Sequence, residues 1–128
     1  MLLDTTFLID LQREAHRRQP GRACRFLREH PDVPVRISVL TWGEFAEGFG
    51  PDGEQACADA LRPYPTVPLS EAIAWRYGQL SKELRERGER IGDNDLWIAA
   101  TALHHDMELV TRNGDHFRRV PGLRVLLY

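Results

Sequence analysis

Apolar runs too short to be helices recur along this chain, and between them lie longer stretches in which apolar residues return every three or four positions. Residues 1–4, 35–40, 109–112 and 123–127 are the short runs, the second with β-branched residues in polar-apolar alternation. They read as strands. Phe7, Leu8, Leu11 and Ala15 open the first helical stretch, and further helices are read over 23–29, 42–49, 54–61, from Ser70 to about 87, and over 94–105. Strands joined by helical crossovers must pair in parallel, because a tight hairpin cannot connect parallel neighbours. The pattern predicts an α/β sandwich with a mainly parallel sheet in one domain spanning 1–128.

Local signals sharpen the boundaries. Thr41 is placed as a helix N-cap, with Glu44 three residues later at the capping-box spacing. The proline-punctuated segment 63–68 is read as an extended connection. Glu83 and Arg87 have the spacing of a helical ion pair. In the helix 94–105 apolar residues cover so much of the circumference that it is expected to be largely buried. Trp42, Trp75, Trp97 and Phe45 are assigned to the core or a dimer face, and His104 and His105 to a structural place at a helix C-terminus.

In open parallel sheets, ligands gather beyond the carboxyl ends of the strands. Asp4 follows the first strand, Glu44 the second, and Asn113 and Asp115 the strand 109–112, while Asp93 and Asp95 open the buried helix and can point back to the same edge. Carboxylates gathered out of water repel one another unless a cation or protons neutralise them. With hard oxygen donors and no supporting Cys or His cluster, Mg2+ or Mn2+ fits better than zinc. Each acid also has a plainer role available: a turn former at Asp4, a capping partner at Glu44, an N-cap at Asp93, and a charge on the helix macrodipole at Asp95.

The formal charge of -2 lacks the global basicity of many nucleic-acid binders, yet Arg13, Arg17, Arg18, Arg22, Arg25 and Arg28 crowd a stretch whose single acid is Glu14. Arginine suits bidentate phosphate contacts. Cys24 and Cys57 are too few and too far apart for a disulfide framework, and are read as reduced thiols. No apolar run approaches the ~20 residues needed to span a membrane. The opening residues do not read as a signal peptide, so the expected compartment is the cytoplasm.

The blocks LLDTTFLID, SVLTWGEFAEG, IGDNDLWIAATAL and LVTRNGDHFRRVPGLRV, in this order, resemble the PIN-domain ribonucleases, specifically VapC-type toxins of bacterial toxin-antitoxin systems. The resemblance spans essentially the whole chain. It implies a three-layer α/β/α sandwich with a parallel sheet of four or five strands, a homodimer, Mg2+-dependent endonucleolytic cleavage of RNA, and inhibition by a cognate VapB-like antitoxin. By motif position, Asp4, Glu44 and Asp95 match the family acids, with Asp93 as an additional carboxylate. Thr6 and Thr111 match supporting hydroxyls. Asn113 fits the T-R-N motif, whereas Asp115 sits one residue before the place where an acid often precedes the aromatic at Phe117, and His116 occupies that place.

On this resemblance, Asp4 and Asp95 would ligate Mg2+ directly. Glu44 and Asp93 would bind a second ion, hold metal-bound waters or accept the proton of the attacking water, and Asn113 or Asp115 would orient a water. Attack by water would leave a 5'-phosphate and a 3'-hydroxyl. The competing expectation is a catalytically inactive PIN-like module that binds RNA or a protein without cutting. A phosphoryl-transfer domain using Asp4 as nucleophile is disfavoured, since no second Asp follows two residues later and Lys82 is the sole lysine.

Overall fold

A computed structural model describes residues 1–128. The elements in chain order are β1 (Leu2–Leu3), α1 (Thr5–Arg17), α2 (Arg22–Glu29), β2 (Arg36–Ser38), α3 (Val39–Ala46), α4 (Glu54–Leu61), β3 (Thr66–Val67), α5 (Glu71–Glu86), α6 (Asp93–His104), β4 (Leu109–Thr111), α7 (Gly114–Phe117) and β5 (Val125–Leu127). All strand pairs are parallel, in the order β3-β2-β1-β4-β5.

The period-2 alternation of the central strands divides the core into two layers. Leu2 and its register partner Leu109 face one cluster, with Ile73, Leu80 and Leu84 of α5 and Leu96, Ile98 and Ala99 of α6. Leu3 and its partner Val110 face the other, with Phe7 and Leu8 of α1, Phe26 of α2, Phe45 of α3 and Leu61 of α4. A sheet apolar on both faces needs helices on both, which makes the fold the three-layer α/β/α sandwich expected. As expected too, α6 is nearly enclosed, with Ala99, Ala100, Thr101 and Ala102 fully buried.

Several expectations are corrected. The segment 63–68 supplies the fifth strand: Ile37 and Ser38 pair with Thr66 and Val67, and the Ile37 N–H donates to the Pro65 carbonyl. An edge strand has one side unpaired, so the N–H groups missing at Pro65 and Pro68 cost the ladder nothing. The strand expected over 35–40 ends at Ser38, and α3 starts at Val39 because the Ser38 hydroxyl accepts from the Thr41 N–H at 3.0 Å. Ser38 therefore caps α3, not Thr41, and Glu44 falls beyond capping reach. Trp75 is 72% exposed on α5 and lies outside the core, whereas Phe45 is buried and Trp97 stacks on Tyr77 at 4.0 Å. Glu83 and Arg87 pair as their spacing suggests. Both cysteines are free thiols, and no helix is long and apolar enough to cross a membrane.

Helix α1 ends at Arg18 with φ 53° and ψ 29°, left-handed backbone that crowds a Cβ. Arg18→Gly is expected to raise stability by about 0.5–1 kcal/mol, the steric relief exceeding the added unfolded-state entropy. Urea denaturation checks this, and an unchanged or lowered midpoint counts against strain there.

Candidate functional site

From β1 the sheet grows through β2 to β3, and from β4 it grows to β5 on the other side. The direction of winding reverses between β1 and β4, and such a switch opens a crevice at their carboxyl ends. Asp4 and Thr111 occupy it.

Asp4 is 4% exposed and caps α1 from extended backbone. Its Oδ1 accepts from the Phe7 N–H at 3.1 Å and the Thr6 hydroxyl at 2.6 Å, and its Oδ2 accepts from the Thr111 hydroxyl. The Thr111 oxygen in turn accepts from the Asn113 N–H at 2.9 Å. Burial pushes the Asp4 carboxyl above its ordinary range, the three donors oppose that rise, and the negative charge of Asp95 adds to it. Asp95, in the first turn of α6, is raised as well: burial is the larger cause, the His116 ring 3.6 Å away opposes it, and the charge of Glu44 reinforces it. Glu44 is fixed from α1 by the hydroxyl of Thr5. Asp4, Asp95 and Glu44 thus lie within one another's electrostatic reach in series, and no Lys or Arg pairs with any of them.

The remaining candidates are disposed differently. Asp93 is the first helical residue after the Gly92 cap; its side chain is 70% exposed, 3.4 Å from the Tyr77 hydroxyl and 3.9 Å from Arg90, neither of which contacts the other acids. Asp115 is 91% exposed and turned to Arg118 at 3.4 Å. Asn113 instead meets the His116 Nδ1 at 3.3 Å, and the same ring nitrogen stands 3.6 Å from Asp95. His116 and Thr5 are the site residues that sequence reasoning left without a role. The Asn113–His116 spacing of three residues on a short helical turn was the available signal for one of them.

No group of three His, Cys, Asp or Glu side chains stands close enough to enclose one ion. Asp4 and Asp95 offer carboxylate oxygens without a Lys or Arg partner, a donor set of the hard-oxygen kind that Mg2+ accepts. None of the larger surface cavities has Asp4, Asp95 or Glu44 in its lining.

Thr111→Val keeps the side-chain shape and removes one donor from a buried carboxylate. It is expected to cost ~1–3 kcal/mol of stability and roughly 10- to 100-fold in any activity that depends on Asp4. Denaturation and initial rates check both; a neutral result on both counts would remove Thr111 from the site.

Residues 1–123 match the PIN domain family. The chain is 30% identical over 129 residues to Ribonuclease VapC1 of Haemophilus influenzae, covering 96% of this chain and 93% of that one. It is 26% identical to Ribonuclease VapC1 of Methanocaldococcus jannaschii, over 100% of this chain and 86% of that one. The structure aligns at TM-score 0.82 and 27% identity, over 99% of this chain and 97% of the other, with the crystal structure of VapBC2 from Rickettsia felis bound to a DNA fragment from their promoter.

Proposed function

We propose that this chain, which belongs to the PIN-domain family and within it to the VapC ribonucleases, is a Mg2+-dependent endoribonuclease acting as the toxin of a toxin-antitoxin pair. The observation that carries this reading is the series Asp4, Asp95 and Glu44 at the sheet's switch point, two of them with raised carboxyls and none paired with a Lys or Arg. An acidic group with no cation of its own is a site for one from outside.

Asp4 and Asp95 are the residues that would hold Mg2+, with Mn2+ as a substitute of similar ligand preference. Bound there, the ion supplies charge neutralisation at the scissile phosphate and acidifies a coordinated water. The Thr6 and Thr111 hydroxyls favour the ionised form of Asp4 and aim it, offsetting part of the burial cost. Glu44, steadied by Thr5, takes the proton of the attacking water. The water oxygen bonds to phosphorus as the bond from phosphorus to the 3'-oxygen breaks, and the 3'-oxygen takes a proton from solvent water, giving a 5'-phosphate and a 3'-hydroxyl. Asn113 and His116 orient groups around Asp95. Asp93 and Asp115 serve their local partners, which argues for Asn113 over Asp115 as the fourth site residue.

A VapB-like antitoxin is the partner on this reading. An apolar groove of about 210 Å³ bordered by Leu8, Leu11, Phe45, Leu61 and Tyr64 supports docking of an amphipathic helix. The exposed Trp75 supports a homodimer contact, and the compartment is the cytoplasm.

Purified protein incubated with structured RNAs should cut them in Mg2+ and spare them in EDTA. Binding without cutting in Mg2+ favours the inactive-module alternative. Independently, Mg2+ at about a hundredfold its Kd is expected to stabilise the fold by ~2.7 kcal/mol. A Tm indifferent to Mg2+ would sink the metal assignment.

A further inference from the structure

A second feature of the same edge has no part in that chemistry. Along α1 runs a polar notch of about 390 Å³, lined by Asp10, Arg13, Glu14, Arg17, Arg112 and the turn at 19–21, with no hydrophobic side chain among its walls. Asp10, Arg13, Glu14 and Arg17 share one stripe of α1 by their spacing. Arg112 enters from the other side, immediately after β4.

The two acids do not fill this notch with negative charge so much as build it. Glu14 spends both carboxylate oxygens on the first turn of α2, accepting from the Ala23 N–H at 3.0 Å and the Cys24 N–H at 2.9 Å. Asp10 accepts from Arg112 at 2.7 Å and from the Tyr128 hydroxyl at 3.0 Å, and faces Arg13 at 3.6 Å. One anchored edge still leaves a guanidinium most of its five N–H donors. Arg17 belongs to no ion pair. Three arginines therefore converge on one hollow, each with donors to spare, in the geometry that recognises phosphate oxygens. Arg112 also follows Thr111, whose hydroxyl holds Asp4, so the notch meets the acidic edge at Arg112 and runs from there along α1.

We propose that this notch seats a backbone phosphate of the RNA strand some nucleotides from the scissile bond, with Arg13, Arg17 and Arg112 as positioning residues that set the strand across Asp4 and Asp95. This rests on the reading of the acidic edge as an RNA-cutting site. The contacts are to backbone alone, so they add affinity and register without base preference.

The test is the full chain carrying Arg13→Gln and Arg17→Gln together, which leaves Arg112 beside Thr111 untouched. Binding of a fluorescent single-stranded RNA oligonucleotide is measured in EDTA over a NaCl series, and cleavage kinetics are measured in Mg2+. Arg87→Gln, distant on the chain in a pair with Glu83, is the control. The double variant should lower the log-log salt slope by about 0.7, one single-strand phosphate contact's worth. Its KM should rise roughly tenfold with kcat held within a factor of two. Arg87→Gln should change neither. A folded double variant with wild-type slope and KM overturns the notch, as does a loss confined to kcat. Arginine-dependent binding by a wild-type chain that cuts no RNA overturns the nuclease reading and leaves the notch standing.

Discussion

Asp4→Asn is expected to lower RNA cleavage by about 10³-fold, a loss of ~4 kcal/mol in transition-state stabilisation, while the protein becomes as stable as wild type or more so. The two effects have one origin. Asp4 is buried, and its charge is opposed by burial and by Asp95, so ionisation of this carboxyl is a cost to folding that only catalysis justifies. Asparagine fills the same volume and caps α1 as well as aspartate does. Its oxygen accepts from Phe7 and Thr6, and the Thr111 hydroxyl reverses to accept from the new amide. The pH dependence follows from the direction of the shift. A carboxyl whose folded pKa is raised binds its proton in the native state where the unfolded chain has released it, so wild-type stability falls as pH rises from the ordinary value near 3.8 through the raised one. The advantage of the Asn variant should be absent below that window and complete above it. Denaturation at a series of pH values, with cleavage assays at neutral pH, tests this; a variant that unfolds, or one retaining a tenth of wild-type activity, contradicts it.

What could be read from residues alone was whatever depends on local periodicity. Leu2, Leu3, Leu109 and Val110 of the central strands are apolar because both faces are buried, and an acid at such a strand's end has few purely structural reasons to be there. Asp4 was legible for that reason. Asp95 was legible because it starts a helix too apolar to face solvent. The errors came where two local solutions compete. Ser38 and Thr41 are both good N-caps, and the choice is made by where β2 must end to pair with β1, a tertiary constraint. The segment 63–68 looked like a connection because its prolines discourage a strand, and only the sheet's edge makes them harmless. The resemblance put Asp95 ahead of Asp93, and helix geometry gives the reason they differ: two residues on an α-helix are turned about 200° apart, so they cannot face one centre equally. A rotation of about 100° between neighbours separates Asp115, directed to Arg118, from His116, directed to Asp95.

That orientation of His116 and Asn113 depends on a single aromatic ring, which makes Phe117→Ala the second large effect. Helix α7 is four residues long and has no side-chain cap, so it does not hold its shape by its own hydrogen bonds. It is held from two sides. Phe117 is 1% exposed in the cluster that contains Leu2, Leu109 and Val120, and Gly114 sits so close to Leu127 of β5 that an added Cβ would meet it at 2.8 Å. Removing the ring deletes its transfer energy and leaves a cavity under the turn, at an expected cost of ~3–5 kcal/mol. That is a large share of the stability of a domain this size. Cleavage should fall as well, since Asn113 and His116 lose their fixed places beside Asp95, and it should fall even at temperatures where the variant is still folded. Asp4→Asn and Phe117→Ala would then both be poor nucleases with opposite stabilities, which separates a group that does chemistry from one that positions it. A Phe117→Ala protein within ~1 kcal/mol of wild type in urea would mean that α7 is anchored by Gly114 and β5 alone.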